Sequence, residues 1–270
     1  MRQMRKIDGV IEVEQVLDII DVGTTMPVRC RLENGTNVVV KYMKNPFGQR
    51  VLINELVGSC IADEIGLVIP EFGICNMSEG VIKTTNSNDE IDERNAGIAF
   101  FTKDYSSSAP PSRQILSHVK NKQTEKLILF DHLVNNCDRH IGNLILNLGK
   151  EATLYVIDNS HIITEGVYED IEQELEPSMI FSKRVLQKNQ DVYDILATSI
   201  GYSEQKILEE AEKIKETMTE KKLNSFKKII PSAWVESVGE YKVDLMFQVL
   251  NRRAESIIEL SKMIVEERRK

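Results

Sequence analysis

The sequence predicts an α+β chain in two lobes, a strand-rich N-terminal lobe (residues 1–105) and a larger helical lobe (residues 106–270). Three observations carry that expectation. Period-two and β-branched runs dominate up to Tyr105, as half-buried strands require. Beyond Pro111 the apolar residues recur at spacings of three and four, the signature of amphipathic helices. Between the two lies "SSSAPPS", Ser106 to Ser112, a Ser/Pro segment suited to a joint.

The elements follow in chain order. Val28, Cys30 and Leu32 alternate with polar neighbours, and Asn34-Gly35 then supplies a hairpin turn. The return strand "NVVVKYM" carries a single charge, Lys41, placed mid-strand between Val40 and Tyr42. From Phe47 to Leu67 the residues Val51, Leu52, Leu56, Cys60, Ile61 and Ile65 fall at helical spacing, with Gly66 as the stop. Pro70 forces an extended segment, after which "FGICNM", "GVIKTT" and "GIAFFTKDY" read as strands, with Asn86 to Asn95 as a polar loop. In the second lobe "TEKLILFDHLVNN" is a helix, and "NLILNL" and "TLYVID" are short strands. Helices fill the remainder, one capped by Ser203 and a last one from Lys242 to Arg268.

Composition narrows the function classes. With 41% hydrophobic and 28% charged residues the chain is an ordinary globular protein. A net charge of -8, without a basic stripe, argues against direct nucleic-acid binding. No run reaches membrane-spanning length, and the N-terminus lacks an apolar export core, so a cytoplasmic location is expected. Cys30, Cys60, Cys75 and Cys137 have no metal spacing and read as reduced, buried thiols. His118, His132 and His161 likewise have no zinc spacing and read as structural.

The densest polar stretch is "NNCDRHIGN", Asn135 to Asn143, set between the apolar runs "LILFDHLV" and "LILNL". Phosphoryl transfer from a nucleotide needs a cation on the phosphates, a carboxylate to position it, hard oxygen ligands for magnesium, and a base for the incoming hydroxyl. The chain offers these parts in order. Lys41 lies on a strand where an unpaired ammonium is costly, and Glu55 lies on the next helix. Asp138 and Asn143 are five residues apart, and Asp158 ends "LYVID".

"NNCDRHIGNLIL" followed by "LYVIDNSHII" resembles the catalytic core of the HipA-like kinases, a bacterial branch of the protein-kinase-like superfamily. The loop is also similar to the Asp-Arg-His-x-x-Asn loop of phosphoinositide lipid kinases. The run from Gly23 to Phe72 resembles the small lobe of the HipA-like family, and "IIPSAW" and "LNRR" resemble its C-terminal helices. The resemblance implies a two-lobed protein-kinase-like fold that uses ATP and Mg2+. It implies Asp138 as catalytic base, Asn143 and Asp158 as magnesium ligands, and Lys41 on the α- and β-phosphates, paired with Glu55. Arg139 and His140 support the loop, and the lipid-kinase similarity gives His140 a share in proton transfer. Backbone groups of Ala99 to Lys103 meet the adenine edge. Gly23, Thr24 and Thr25 stand where the phosphate loop is expected, although a lone Gly23 makes no GxGxxG. Asn159-Ser160 follow Asp158 in place of Phe-Gly.

The acceptor is expected to be a protein Ser/Thr hydroxyl, with a small molecule or lipid headgroup as the alternative. A pseudokinase that binds nucleotide and regulates a partner is a third reading, against which the retention of all five polar positions argues. Family members often act as toxins paired with a DNA-binding antitoxin. This chain shows no helix-turn-helix of its own, so an antitoxin-like regulatory partner would be a separate protein.

Overall fold

The computed structural model describes residues 5–20, 25–85, 95–105, 111–149, 151–164 and 168–270. Among these, β1 (Lys6–Ile19), β2 (Val28–Leu32), β3 (Asn37–Lys41), β4 (Phe72–Met77) and β5 (Gly97–Lys103) close into a barrel in the order β1-β2-β3-β5-β4. The barrel closes because the long β1 pairs antiparallel with β2 and parallel with β4. Alternation puts Val28, Cys30, Leu32, Val38, Val40, Cys75 and Phe101 into its interior. At the β2–β3 turn Gly35 adopts φ 79°, its N–H donates to the Leu32 carbonyl, and Asn34 accepts from the Thr36 N–H. All four cysteines are free and buried, and burial pushes the Cys30 and Cys60 thiols up to about 12, which leaves them unreactive.

Helix α1 (Gln49–Ile65) is buried on nearly every side, as expected of a helix enclosed by other elements rather than lying on a surface. Gly66 ends it in the left-handed conformation at φ 81°. After α2 (Glu79–Thr85) and the barrel come α3 (Arg113–Leu116), α4 (Thr124–Leu133), a 3₁₀ turn at Ile141–Asn143, the hairpin β6 (Leu144–Asn147) and β7 (Thr153–Val156), and a second 3₁₀ segment at Tyr168–Leu175. The helices α5 (Pro177–Ile180), α6 (Arg184–Lys188), α7 (Gln190–Ser199), α8 (Glu204–Thr217), α9 (Glu220–Lys227), α10 (Ser232–Val238), α11 (Glu240–Glu255) and α12 (Ile257–Arg268) follow. α8, α9 and α10 all pack on α1. The buried Trp234 of α10 also donates its indole N–H to the Ile98 carbonyl of β5 at 3.0 Å. A continuous core therefore joins the outer face of the barrel to the helical lobe through α1.

Three local expectations need correction, and one element is unanticipated. The N-terminal segment is a 14-residue strand, hidden from pattern reading because Asp8, Glu12, Glu14 and Asp18 decorate it. "GVIKTT" is part of α2 and not a strand, because Ser78 accepts from the Val81 N–H and nucleates a helical turn despite the β-branched residues. The last helix is two helices, broken at Ser256 so that α12 can fold onto α8. Lys41 is the final residue of β3 rather than its middle. Gly23 and Thr24, most of the Asn86–Asn95 loop and residues 106–110 of the expected joint lie outside the described residues. No helix among the described residues is long and apolar enough to cross a membrane.

Candidate active site

Where β3 ends, Lys41 turns its ammonium toward α1. Its Nζ donates to Glu55 Oε1 at 2.5 Å, to Ser160 Oγ at 2.7 Å and to Asp158 Oδ1 at 3.0 Å. The three partners come from α1 and from the turn after β7, so one side chain ties the barrel to the helical lobe. Burial opposes the charge on Lys41, but the carboxylates of Asp158 and Glu55 outweigh it and raise its pKa. Burial likewise acts against the Asp158 carboxylate, yet Lys41 and Ser160 hold it below the usual carboxylate range. Glu55 also accepts from the Asn159 N–H at 3.1 Å. Asn54, one position earlier on α1, donates to the Ser160 carbonyl at 2.7 Å. Gly58 lets α1 approach this turn, since a Cβ there would meet the Asn159 Cβ at 2.7 Å.

The loop from Asn135 to Asn143 is fixed by a buried network. Arg139 and Asp131 of α4 pair at 3.0 Å with both side chains fully buried, and Arg139 also donates to the Ile157 carbonyl at 2.5 Å. Tyr193 of α7 donates to Asp131 at 3.1 Å. Asn189 accepts from the Arg139 N–H at 3.0 Å and donates to the Asn136 carbonyl at 2.8 Å. The Asn136 side chain in turn accepts from the Asp138 N–H, also at 3.0 Å. Asn143 donates its amide to the Asp138 carbonyl at 2.8 Å. Three non-glycine residues with positive φ flank the loop and its partner turn: Asn135 at 54°, Asp158 at 62° and Ile163 at 74°. The last is unusual for a β-branched residue and is held by two hydrogen bonds, Ile163 N–H to the Val134 carbonyl and Asn135 Nδ2 to the Ile163 carbonyl.

A cavity of about 690 Å³ opens between barrel and helices. Val39, Phe100, Ile145 and Ile157 give it apolar walls, and Lys41, Glu55, Asp138, Asn143 and Asp158 all line it. Thr25 and His140 line it as well; of the stretch expected at the adenine edge, Phe100, Thr102 and Lys103 line it while Ala99 and Phe101 are buried in the barrel. The His140 Nδ1 is engaged within its own loop, accepting from the Gly142 N–H at 3.0 Å. The backbone of Phe100 to Thr102 pairs with β3 on one side and β4 on the other, and the Lys103 and Asp104 N–H groups donate to the Glu71 and Asn37 carbonyls, so these N–H groups are already taken. Among the described residues no group of three or more His, Cys, Asp or Glu side chains forms a metal cage.

Sequence reasoning missed several contributors. Asn189, Tyr193 and Asp131 carried no motif signal, since only the folded chain brings them to the loop. His161, read as structural from spacing, instead lines the cavity with its Nε2 3.9 Å from Asp138 Oδ2. Ser160 passed as a departure from Phe-Gly, yet its hydroxyl sits among Lys41, Glu55 and Asp158.

A strand-rich lobe and a helical lobe that share a cleft with a lysine–glutamate pair define a protein of the kinase-like class. The HipA-like kinase family matches residues 13–257, and the chain belongs to that family. The fold is shared with the Helicobacter pylori proinflammatory kinase CtkA at a TM-score of 0.59 and 14% identity, covering 96% of this chain and 99% of that one. Two structures of a Golgi casein kinase, one with Mn/ADP bound, align at TM-scores of 0.46 and 0.49 with 14% and 11% identity. Each covers 96% of this chain, and 74% and 73% respectively of the casein kinase chain. No curated protein matches the sequence.

Proposed function

We propose that this kinase transfers the γ-phosphoryl group of ATP, with Mg2+, to the hydroxyl of a protein serine or threonine. The observation that carries the reading is the meeting of Lys41, Glu55, Asp158, Asn143 and Asp138 in one cavity. In this reading the lobes 1–105 and 106–270 enclose the nucleotide. Its base lies between Val39 on one side and Ile145 of β6 and Ile157, just past β7, on the other.

Lys41 uses all three N–H donors on Glu55, Asp158 and Ser160. Binding phosphate oxygens therefore means exchanging at least one of them. Exchange at Asp158 fits best, because that carboxylate is the more exposed of the two, 35% against 3% for Glu55. Glu55 stays in place and keeps the ammonium aimed at the α- and β-phosphates.

The donor set suits magnesium. Asn143 commits its NH2 to the Asp138 carbonyl, leaving its amide oxygen for a ligand. Asp158 Oδ2 has no partner among the described residues. Two hard oxygens are a small set, but magnesium completes its shell with phosphates and water. When bound, the ion neutralises charge on the transferring phosphates.

Asp138 accepts the proton of the attacking hydroxyl, or at least orients that hydroxyl. Its backbone is fixed through Asn136 and Asn143, while its carboxylate is 52% exposed and open to an acceptor. Regulation by a separate antitoxin-like protein is part of this reading, and a pull-down tests it. The acceptor is tested with labelled ATP in a lysate, followed by mass spectrometry of the labelled product. Label on serine or threonine supports the proposal; label confined to lipid or small molecules rejects a protein acceptor.

A further inference from the structure

The Asp138 carboxylate meets one ionisable side chain among the described residues, and it is not on its own loop. His161, three residues past Asp158, places Nε2 3.9 Å from Asp138 Oδ2. The imidazole is held from behind by Phe47, in an edge-on contact with ring centroids 5.7 Å apart and planes at 79°. Phe47 precedes α1 and His161 follows the Ser160 that binds Lys41, so the ring is built into the turn that organises the phosphate end of the cavity. Both rings line the cavity beside Asp138. His140, by contrast, spends its Nδ1 on the Gly142 N–H of its own loop.

We propose that His161 is a positioning residue for Asp138, holding Oδ2 toward its Nε2 so that Oδ1 faces the incoming hydroxyl. The inference rests on Asp138 serving as the group that receives the acceptor proton. In that step the acceptor oxygen bonds to the γ-phosphorus and the bond to the β-phosphate oxygen breaks with its electron pair leaving on ADP. The hydroxyl proton passes to Asp138 Oδ1. A carboxylate that is half exposed and otherwise unheld samples several χ1 and χ2 settings, and only some aim an oxygen at the reacting hydroxyl. A contact of 3.9 Å is longer than a hydrogen bond, and catalytic hydrogen bonds that are long in the free enzyme tighten when substrate closes the site.

The test compares His161→Ala, His161→Gln and His161→Asn with wild type for kcat, KM for ATP and nucleotide affinity. The Gln amide nitrogen reaches the place of Nε2, whereas the Asn amide nitrogen reaches only that of Nδ1. The expected result is a kcat about tenfold or more lower in the Ala and Asn variants. That is a part of the roughly 10²–10⁴ that acid–base catalysis contributes. KM for ATP and nucleotide affinity stay unchanged, and the Gln variant recovers most of kcat. An unchanged kcat in His161→Ala overturns the inference. So does a parallel loss of nucleotide affinity, or Gln and Asn behaving alike, since either outcome marks a packing role. Asp138→Ala is run beside them. If that variant keeps turnover, the role of Asp138 falls and this inference falls with it. If it is inactive while His161→Ala turns over normally, only the role of His161 is lost.

Discussion

Lys41→Met removes one partner of a buried ion pair, and its cost can be worked out from the structure. The Lys41 side chain is 11% exposed and that of Glu55 is 3%, so screening by water is slight. Breaking a buried pair by deleting one partner costs about 3–5 kcal/mol. Glu55 would keep the Asn159 N–H and the Ser160 hydroxyl, each at 3.1 Å, and Asp158 can turn toward water, so the lower end, about 3 kcal/mol, applies. That corresponds to a melting temperature lower by roughly 6–12 °C for a chain of this size. Burial raises the Glu55 pKa, and without Lys41 nothing cationic opposes it. A carboxyl group whose folded pKa exceeds its unfolded value binds its proton more tightly when folded, so the deficit is smaller at acidic pH and grows as pH rises through the raised folded pKa. Thermal melts and urea titrations of wild type, Lys41→Met, Glu55→Gln and the double variant measure this directly. The double variant should recover most of the loss, because no buried charge is then left alone. A Lys41→Met protein that melts with wild type, or a Glu55→Gln change that adds to its deficit, refutes the reasoning.

Three further outcomes follow from the geometry. Asn189→Ala removes the side-chain bonds to Arg139, Asn136 and Tyr193; it should cost about 2–3 kcal/mol in urea titrations and lower kcat with nucleotide affinity retained. Gly58→Ala should destabilise by about 1–2 kcal/mol, because the clash with Asn159 outweighs the better helix propensity of alanine, and ATP turnover should fall as Glu55 is displaced. His132 is fully buried, its Nδ1–H donates to the Ile128 carbonyl, and burial lowers its pKa from 6.5 to about 3. The unfolded chain therefore binds this proton at a pH where the folded chain does not. Stability should be full above about pH 6.5 and decline by roughly 1.4 kcal/mol per unit as pH falls toward 3. Urea titrations across that range should show the slope in wild type and a flatter one in His132→Leu.

Strands and helices with clean periodicity were legible before folding. β2 and β3 show alternation around Asn34-Gly35, and α1 shows its apolar spacing and its Gly66 stop. β1 was not legible, because its partners β2 and β4 lie further along the chain and its outer face is acidic. α2 was misread because Val81 and Ile82 suit a strand, while the deciding contact is a single serine cap. In the site, the spacing of Asp138, Asn143 and Asp158 pointed to the proposed chemistry, and the structure adds what spacing cannot carry. The support of the loop comes from Asp131, Asn189 and Tyr193, which become neighbours of Arg139 only once α4 and α7 pack together. His161 was missed for a related reason: its partner Asp138 lies 23 positions earlier, and only the fold brings the two side chains within 4 Å.

The most direct test of the account is phosphoryl transfer from γ-labelled ATP with Mg2+, measured in wild type and Asp138→Ala beside nucleotide affinity. The account predicts transfer by wild type, loss of transfer in Asp138→Ala, and equal affinity for ATP in both. Wild-type protein that binds ATP but transfers no label to any added or cellular acceptor, or an Asp138→Ala variant that transfers normally, would contradict it.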